Sequence, residues 1–153
     1  MRLSLLLKPE HVFLDLEAVD RDSLLRDVAE RLAAAGAVRD AVPLWESLIE
    51  RERQDATVVG DDAAIPHCRV AGLKGIVVAF ARSAANIVFD PRGGRTAHLY
   101  FFVLAPREQP AAHLQVLSNI AKLLRSAGAR RALETARTPE ALVAALTGLE
   151  AKL

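Results

Sequence analysis

The sequence predicts a single α/β domain over residues 1–153, on three observations. Apolar runs of strand length, rich in Val, Ile and Phe, cluster between residues 75 and 104. Segments whose apolar residues recur at helical spacing bracket that cluster on both sides, and no repeat or low-complexity linker divides the chain. A chain of this length can bury one substantial core.

Taken in order, Leu3 to Leu7 reads as a short helical turn that Pro9 ends or redirects. Val12–Leu16 is the first strand. Asp20 or Asp22 can cap the helix that follows, in which Leu24, Leu25, Val28, Leu32 and Ala33 recur at helical spacing up to a stop at Gly36. A second helix starts after Val38, with Asp40 as a possible cap and Pro43 in its first turn, where proline is tolerated. It runs through Leu44, Leu48 and Ile49 to the charged end Glu50-Arg51-Glu52-Arg53. Gly75–Ala81 and Ala85–Phe89 read as two strands, Asp90–Gly94 as a loop, and Ala97–Leu104 as a third, central strand. His98 shares one face of that strand with Tyr100 and Phe102 and reads as structural, while Phe101 and Phe102 suit a core and a contact surface equally well. A helix then opens at Gln109–His113 and runs through Leu124, with Gly128 as its stop. Ala129–Ala136 forms a short helix, and Thr138-Pro139 opens the last one with a capping hydroxyl and a proline at the first position.

Composition narrows the function classes. With 20 Lys and Arg against 19 Asp and Glu, a net charge of +1 does not suit a nucleic-acid or membrane-surface binder, so proteins or small molecules are the expected partners. The single cysteine, Cys68, cannot form an internal disulfide, which is consistent with a reducing compartment. The opening Met1–Lys8 is apolar but reaches charge too soon for a signal peptide or a membrane span, and a cytoplasmic location is expected.

The stretch that carries chemistry runs from Thr57 to Arg69. Two valines lead into a Gly-Asp-Asp turn, and a short apolar run stops at Pro66, which holds the chain extended and puts His67 at a stiff, specified place. An imidazole is largely neutral and nucleophilic near pH 7, so His67 is a candidate nucleophile; a histidine at a strand end can also be structural. Upstream, Arg53 reads as part of a solvated helix end. His113 falls in the first turn of its helix, where free N–H groups and the dipole create an anion site, although such a residue can equally be a plain surface histidine.

Arg51-Glu52, Thr57-Val-Val-Gly60, Ala64-Ile-Pro-His-Cys-Arg69 and His113-Leu-Gln-Val-Leu117 together resemble the enzyme IIA domains of the fructose/mannitol type, including their nitrogen-regulatory relatives. These belong to the bacterial phosphoenolpyruvate-dependent sugar phosphotransferase system. The resemblance covers almost the whole chain and implies a mixed β-sheet flanked by helices on both sides. It also implies that His67 is the phosphoacceptor, through Nε2, that phosphorylated HPr is the donor, and that His113 is the second active-site histidine, stabilising the phosphate or orienting the ring. A IIB domain or a regulated protein is the implied recipient, with any membrane permease met peripherally through IIB. Arg51 would meet phosphoryl oxygens with its planar fork of donors. The Thr57 hydroxyl and backbone N–H groups of the Val59-Gly60-Asp61 turn are further expected donors. The chain carries no magnesium motif and no Gly-x-x-x-x-Gly-Lys loop, so a phosphoprotein donor is expected rather than ATP, and no cofactor or metal.

The chain makes three departures from the family pattern: Asp62 stands where a glycine is common, Cys68 where Gly or Ala is, and Gln54-Asp55-Ala56 replaces a Gly-Ser-like lead. A carboxylate about 4 Å from a phosphoryl charge would cost about 1 kcal/mol in water and about 4 kcal/mol at an effective dielectric of 20. Cys68 should pack inward, because adjacent strand residues face opposite ways. A zinc hydrolase built on His67 and His113 has no His-x-x-x-His or Cys-x-x-Cys pair behind it. The rival reading is a binding module that keeps the IIA fold and controls a protein partner without transfer. The sequence shows no fused permease or IIB segment, which favours a regulator of the nitrogen type over a sugar-uptake component.

Overall fold

In the computed structural model, which describes residues 2–151, the element order is α1 (Leu3–Leu6), β1 (Leu7–Leu16), α2 (Arg21–Ala34), α3 (Ala41–Gln54), β2 (Ala63–Ala64), β3 (His67–Arg69), β4 (Val77–Asp90), β5 (Arg95–Ala105), α4 (Pro110–Leu124), α5 (Ala127–Thr135) and α6 (Pro139–Glu150). The sheet is mixed and open. β1 runs parallel to β4, β4 antiparallel to β5, and the short β2 and β3 both run parallel to β5 along its other edge. Every residue from Leu99 to Ala105 is fully buried, which a strand can achieve only when helices cover both faces of its sheet.

Alternation along β5 divides the core into two halves. Tyr100 and Phe102 join the leucines of α2 and α3 on one face, and Phe101 and Val103 join residues of α4, α5 and α6 on the other. Phe101 and Phe102 are therefore both core. The expected caps form at two helices: Asp20 accepts from the Ser23 N–H at 2.8 Å, and Thr138 from the Ala141 N–H at 3.1 Å. Asp40 sits at the cap of α3 without a side-chain capping bond.

Three expectations are corrected. Pro9 neither ends nor redirects a helix; it lies inside β1, an edge strand on which a missing N–H costs the ladder nothing. The strands expected at 75–81 and 85–89 are one strand, because the polar interval is absorbed by a register shift between Arg82 and Ile87. Arg82 is buried there and satisfied, donating to the carbonyls of Leu133 at 2.9 Å and Ala136 at 2.8 Å and pairing with Asp15 at 3.1 Å. Gly128 does not stop α4, which ends at Leu124; it lies inside α5, capped by Ser126. A Cβ at 128 would come within 3.3 Å of the Leu149 side chain, so the glycine serves the close approach of α6.

Candidate functional site

Pro66 and His67 are set by β5. The Val103 N–H donates to the Pro66 carbonyl at 3.0 Å, so the proline enters the ladder through the one backbone group it still has. His67 then opens β3 opposite Val103. Its Nδ1 lies 2.6 Å from the Ile65 carbonyl. A carbonyl only accepts, so Nδ1 carries the ring proton and Nε2 keeps a bare lone pair. Burial lowers the His67 pKa below the usual 6.5; the Ile65 bond opposes that shift and the Arg51 charge adds to it. The ring is thus neutral at pH 7.

Two expected neighbours converge on that lone pair. Arg51, in the last turn of α3, brings Nη2 to 3.5 Å from His67 Nε2, while its Nη1 donates to the Asp55 carbonyl at 2.8 Å. His113, in the opening of α4, stands edge-on to His67 with ring centroids 5.6 Å apart. It is 8 % exposed, its Nε2 has no hydrogen-bond partner, and burial, His67 and Arg69 all lower its pKa. The rings border an open cleft of ≈ 800 Å³ whose walls include Glu46 and Glu50 from α3 and Pro110, Leu114 and Leu117 from α4. Among the described residues, no three His, Cys, Asp or Glu side chains are grouped to hold a metal ion.

The remaining expected donors lie elsewhere, and the hairpin before His67 explains why. The Ile65 N–H donates to the Thr57 carbonyl at 3.0 Å and the Val59 N–H to the Ala63 carbonyl at 2.8 Å, so the tip at Gly60–Asp62 points away from His67. Ala63 pairs with Leu99 and His67 with Val103, which puts the tip on the order of 13 Å or more from the imidazole, by strand rise. The turn N–H groups of Val59, Gly60 and Asp61 are therefore out of reach of His67. Asp62 does not face the site: its carboxylate accepts from the Thr96 hydroxyl at 2.8 Å, and a charge that far off is largely screened. Its φ of +56° is the left-handed conformation that glycine adopts freely and Asp tolerates. Thr57 is buried, with its hydroxyl bonded to Glu52 Oε1 and its N–H donating to Glu52 Oε2 at 3.0 Å, so that hydroxyl is engaged behind the cleft rather than presented to it.

Two residues of this region were not singled out from sequence. Glu52 figured only as a member of the Arg51-Glu52 pair, with no role of its own, yet it is 2 % exposed and joins the end of α3 to the hairpin. Burial raises its pKa above 4.5, against the Thr57 bonds and the charges of Arg21 and Arg51. The signal for it was position: four residues beyond Leu48, it falls on the buried stripe of the helix. Arg69 follows His67 by two in a strand, the spacing that shares a face, and it too lines the cleft. Arg53 is exposed, as expected of a helix end. Cys68 packs against the α2–α3 side of the core and burial pushes its thiol up to about 12, so it supplies no thiolate. His98 hydrogen-bonds Glu134 through Nε2 at 3.0 Å, away from the cleft.

Comparison with known proteins places this geometry. The family described as "Phosphoenolpyruvate-dependent sugar phosphotransferase system, EIIA 2" matches residues 5–148. A nitrogen regulatory protein of Pseudomonas aeruginosa is 32% identical over 142 residues, covering 93% of this chain and 92% of that protein. The fructose-specific EIIABC component of Bacillus subtilis is 28% identical over 143 residues; the match covers 94% of this chain but 22% of that much longer protein. Among solved structures, nitrogen regulatory protein IIA-Ntr from Neisseria meningitidis superposes with a TM-score of 0.84 at 30% identity, covering 94% of this chain and 98% of that one.

Proposed function

The chain belongs to the EIIA 2 family of the phosphoenolpyruvate-dependent sugar phosphotransferase system, and on that premise we propose that it is a phosphocarrier whose His67 Nε2 accepts a phosphoryl group from phosphorylated HPr. The observation that carries this reading is the unprotonated Nε2: Nδ1–H is committed to the Ile65 carbonyl, and the opposite lone pair, at the cleft, accepts only a long 3.5 Å contact from Arg51 Nη2. In the transfer Nε2 attacks phosphorus, the bond from phosphorus to the donor's histidine breaks, and the donor ring takes back its electron pair. The protein positions the ring and meets charge on the equatorial oxygens. Arg51 contributes a guanidinium, and the unpartnered Nε2 of His113 contributes a donor when that nitrogen carries the proton. Arg69, on the same face as His67, adds positive charge.

The recipient is a IIB domain or a regulated protein. Relatedness over 92% of the Pseudomonas nitrogen regulatory protein supports regulatory use of the phosphorylation state. Among the described residues no helix is long and apolar enough to cross a membrane.

The test is intact-protein mass spectrometry under non-acidic conditions after incubation with enzyme I, HPr and phosphoenolpyruvate. One added phosphoryl group on wild type and none on His67→Ala is expected. Equal phosphorylation of the variant would overturn the assignment of His67, and an unmodified wild type beside phosphorylated HPr would favour a non-transferring binding module.

A further inference from the structure

Beside the phosphoacceptor cleft lies a second, larger one of ≈ 1180 Å³. The two adjoin, because Ser47 and Arg69 line both. Its walls gather Lys8, Arg39, Arg69, Lys74 and Arg107 against two carboxylates, Glu10 and Asp40. That is a marked local excess in a molecule whose net charge is only +1. The five cations are also far apart in sequence: one comes from β1, one from the approach to α3, one from β3 and two from loops on either side of the β4–β5 hairpin. None of them pairs with a carboxylate among the described residues.

Apolar side chains share the lining, Val38, Leu44, Val70 and Leu73 among them. His11 also lines it. That imidazole is only 7 % exposed and its Nδ1 has no hydrogen-bond partner, an unusual state for a buried polar atom. Cations gathered in one cleft beside apolar side chains focus a positive field and raise the local concentration of anions.

We propose that this second cleft binds a small multivalent phosphorylated anion, held by Lys8, Arg39, Lys74 and Arg107 with Arg69 shared between the two clefts. Phosphate suits the residue set because guanidinium forks take its oxygens in pairs and lysines meet them as point charges. Binding here is independent of chemistry at His67, so the site stands whether or not the chain transfers a phosphoryl group.

The test is titration of the ¹⁵N-labelled protein with pyrophosphate at 0.15 M ionic strength, followed by amide and histidine-ring shifts. Saturable shifts are expected at Lys8, His11, Arg39, Lys74 and Arg107. The double variant Lys74→Gln/Arg107→Gln, both exposed positions, should weaken binding by about tenfold or more with its spectrum otherwise intact. Arg51→Gln, confined to the first cleft, should leave the affinity within about twofold. The opposite pattern, with Arg51→Gln destructive and the double variant neutral, would assign the anion to the phosphoacceptor cleft and overturn the proposal. Shifts that never saturate, or that spread evenly over basic residues, would do so as well.

Discussion

Arg51 does two separable things, which makes it the most informative residue to change. Its Nη2 lies 3.5 Å from His67 Nε2, so an incoming phosphoryl group must arrive within reach of the guanidinium, while Nη1 holds the Asp55 carbonyl at 2.8 Å. A hydrogen bond to a charged group is worth about 1.5–3 kcal/mol. Arg51→Gln should therefore slow phosphoacceptance by about 10- to 150-fold, at about 1.4 kcal/mol per factor of ten. A bare Coulomb estimate of about 4 kcal/mol at 4 Å and a dielectric of 20 would exceed that range. Arg51 is half-exposed and water screens it, so the lower part of the range is the expectation. The structural side is smaller: losing the Asp55 bond costs about 1 kcal/mol, a fall of about 2–4 °C in Tm for a chain of this size. Arg51→Lys restores the charge without the fork and should recover part of the rate. Rapid-quench measurement with phosphorylated HPr, alongside a thermal melt, separates the two effects. A folded Arg51→Gln protein that accepts phosphate within threefold of wild type would refute the role given to Arg51.

Glu52→Ala strands the buried N–H and hydroxyl of Thr57, each costing about 1–3 kcal/mol, so urea unfolding should show a loss of about 2–6 kcal/mol; a loss under about 0.5 kcal/mol would mean the clasp is idle. Because folding raises the pKa of Glu52, the folded state holds its proton longer than the unfolded chain; stability should decline as pH rises from 4.5 to the raised value, and Glu52→Gln should flatten that decline. His67 and His113 have lowered values, so the sign reverses: stability from these rings is complete above pH 6.5 and falls as pH drops through the window below it, readable as a gain in low-pH stability in His113→Gln. The same shift should place the acid limb of phosphoacceptance below pH 6.5 rather than at it. Asp62→Gly should leave the phosphorylation rate unchanged, because the carboxylate faces Thr96; a clear acceleration would show that it reaches the site.

How much of this was legible in the sequence depended on whether the deciding contact was local. The last helix's Thr-Pro opening and the Asp20 cap are written within a few residues, and both formed. The bulge in β4 was not, since a polar interval reads as a break unless the partners of Arg82, some fifty residues away at the end of α5, are known. At the site the same division holds. His67, Arg51 and His113 stand in short motifs, and the fold brings the three side chains together. Thr57 was expected at the site and the direction of Asp62 was open, because each is decided by a partner: Glu52 engages one hydroxyl, and the strand register carries the other residue to the far end of a hairpin. Glu52 itself was hidden by its company, a charged run in which one member faces inward.

The Ile65 carbonyl has a consequence for unloading as well as loading. A carrier is useful only if it can be emptied as readily as it is filled. Under the proposed chemistry, phosphorylation at Nε2 leaves the Nδ1 proton in place, and the 2.6 Å contact gives the positive ring that results a fixed partner for it. A ring that keeps this proton departs as neutral imidazole, a far better leaving group than the imidazolate that would otherwise form. On that proposal one main-chain oxygen would select the nitrogen that receives the cargo and keep that cargo weakly enough held to be handed on, with no proton exchanged with water in either direction.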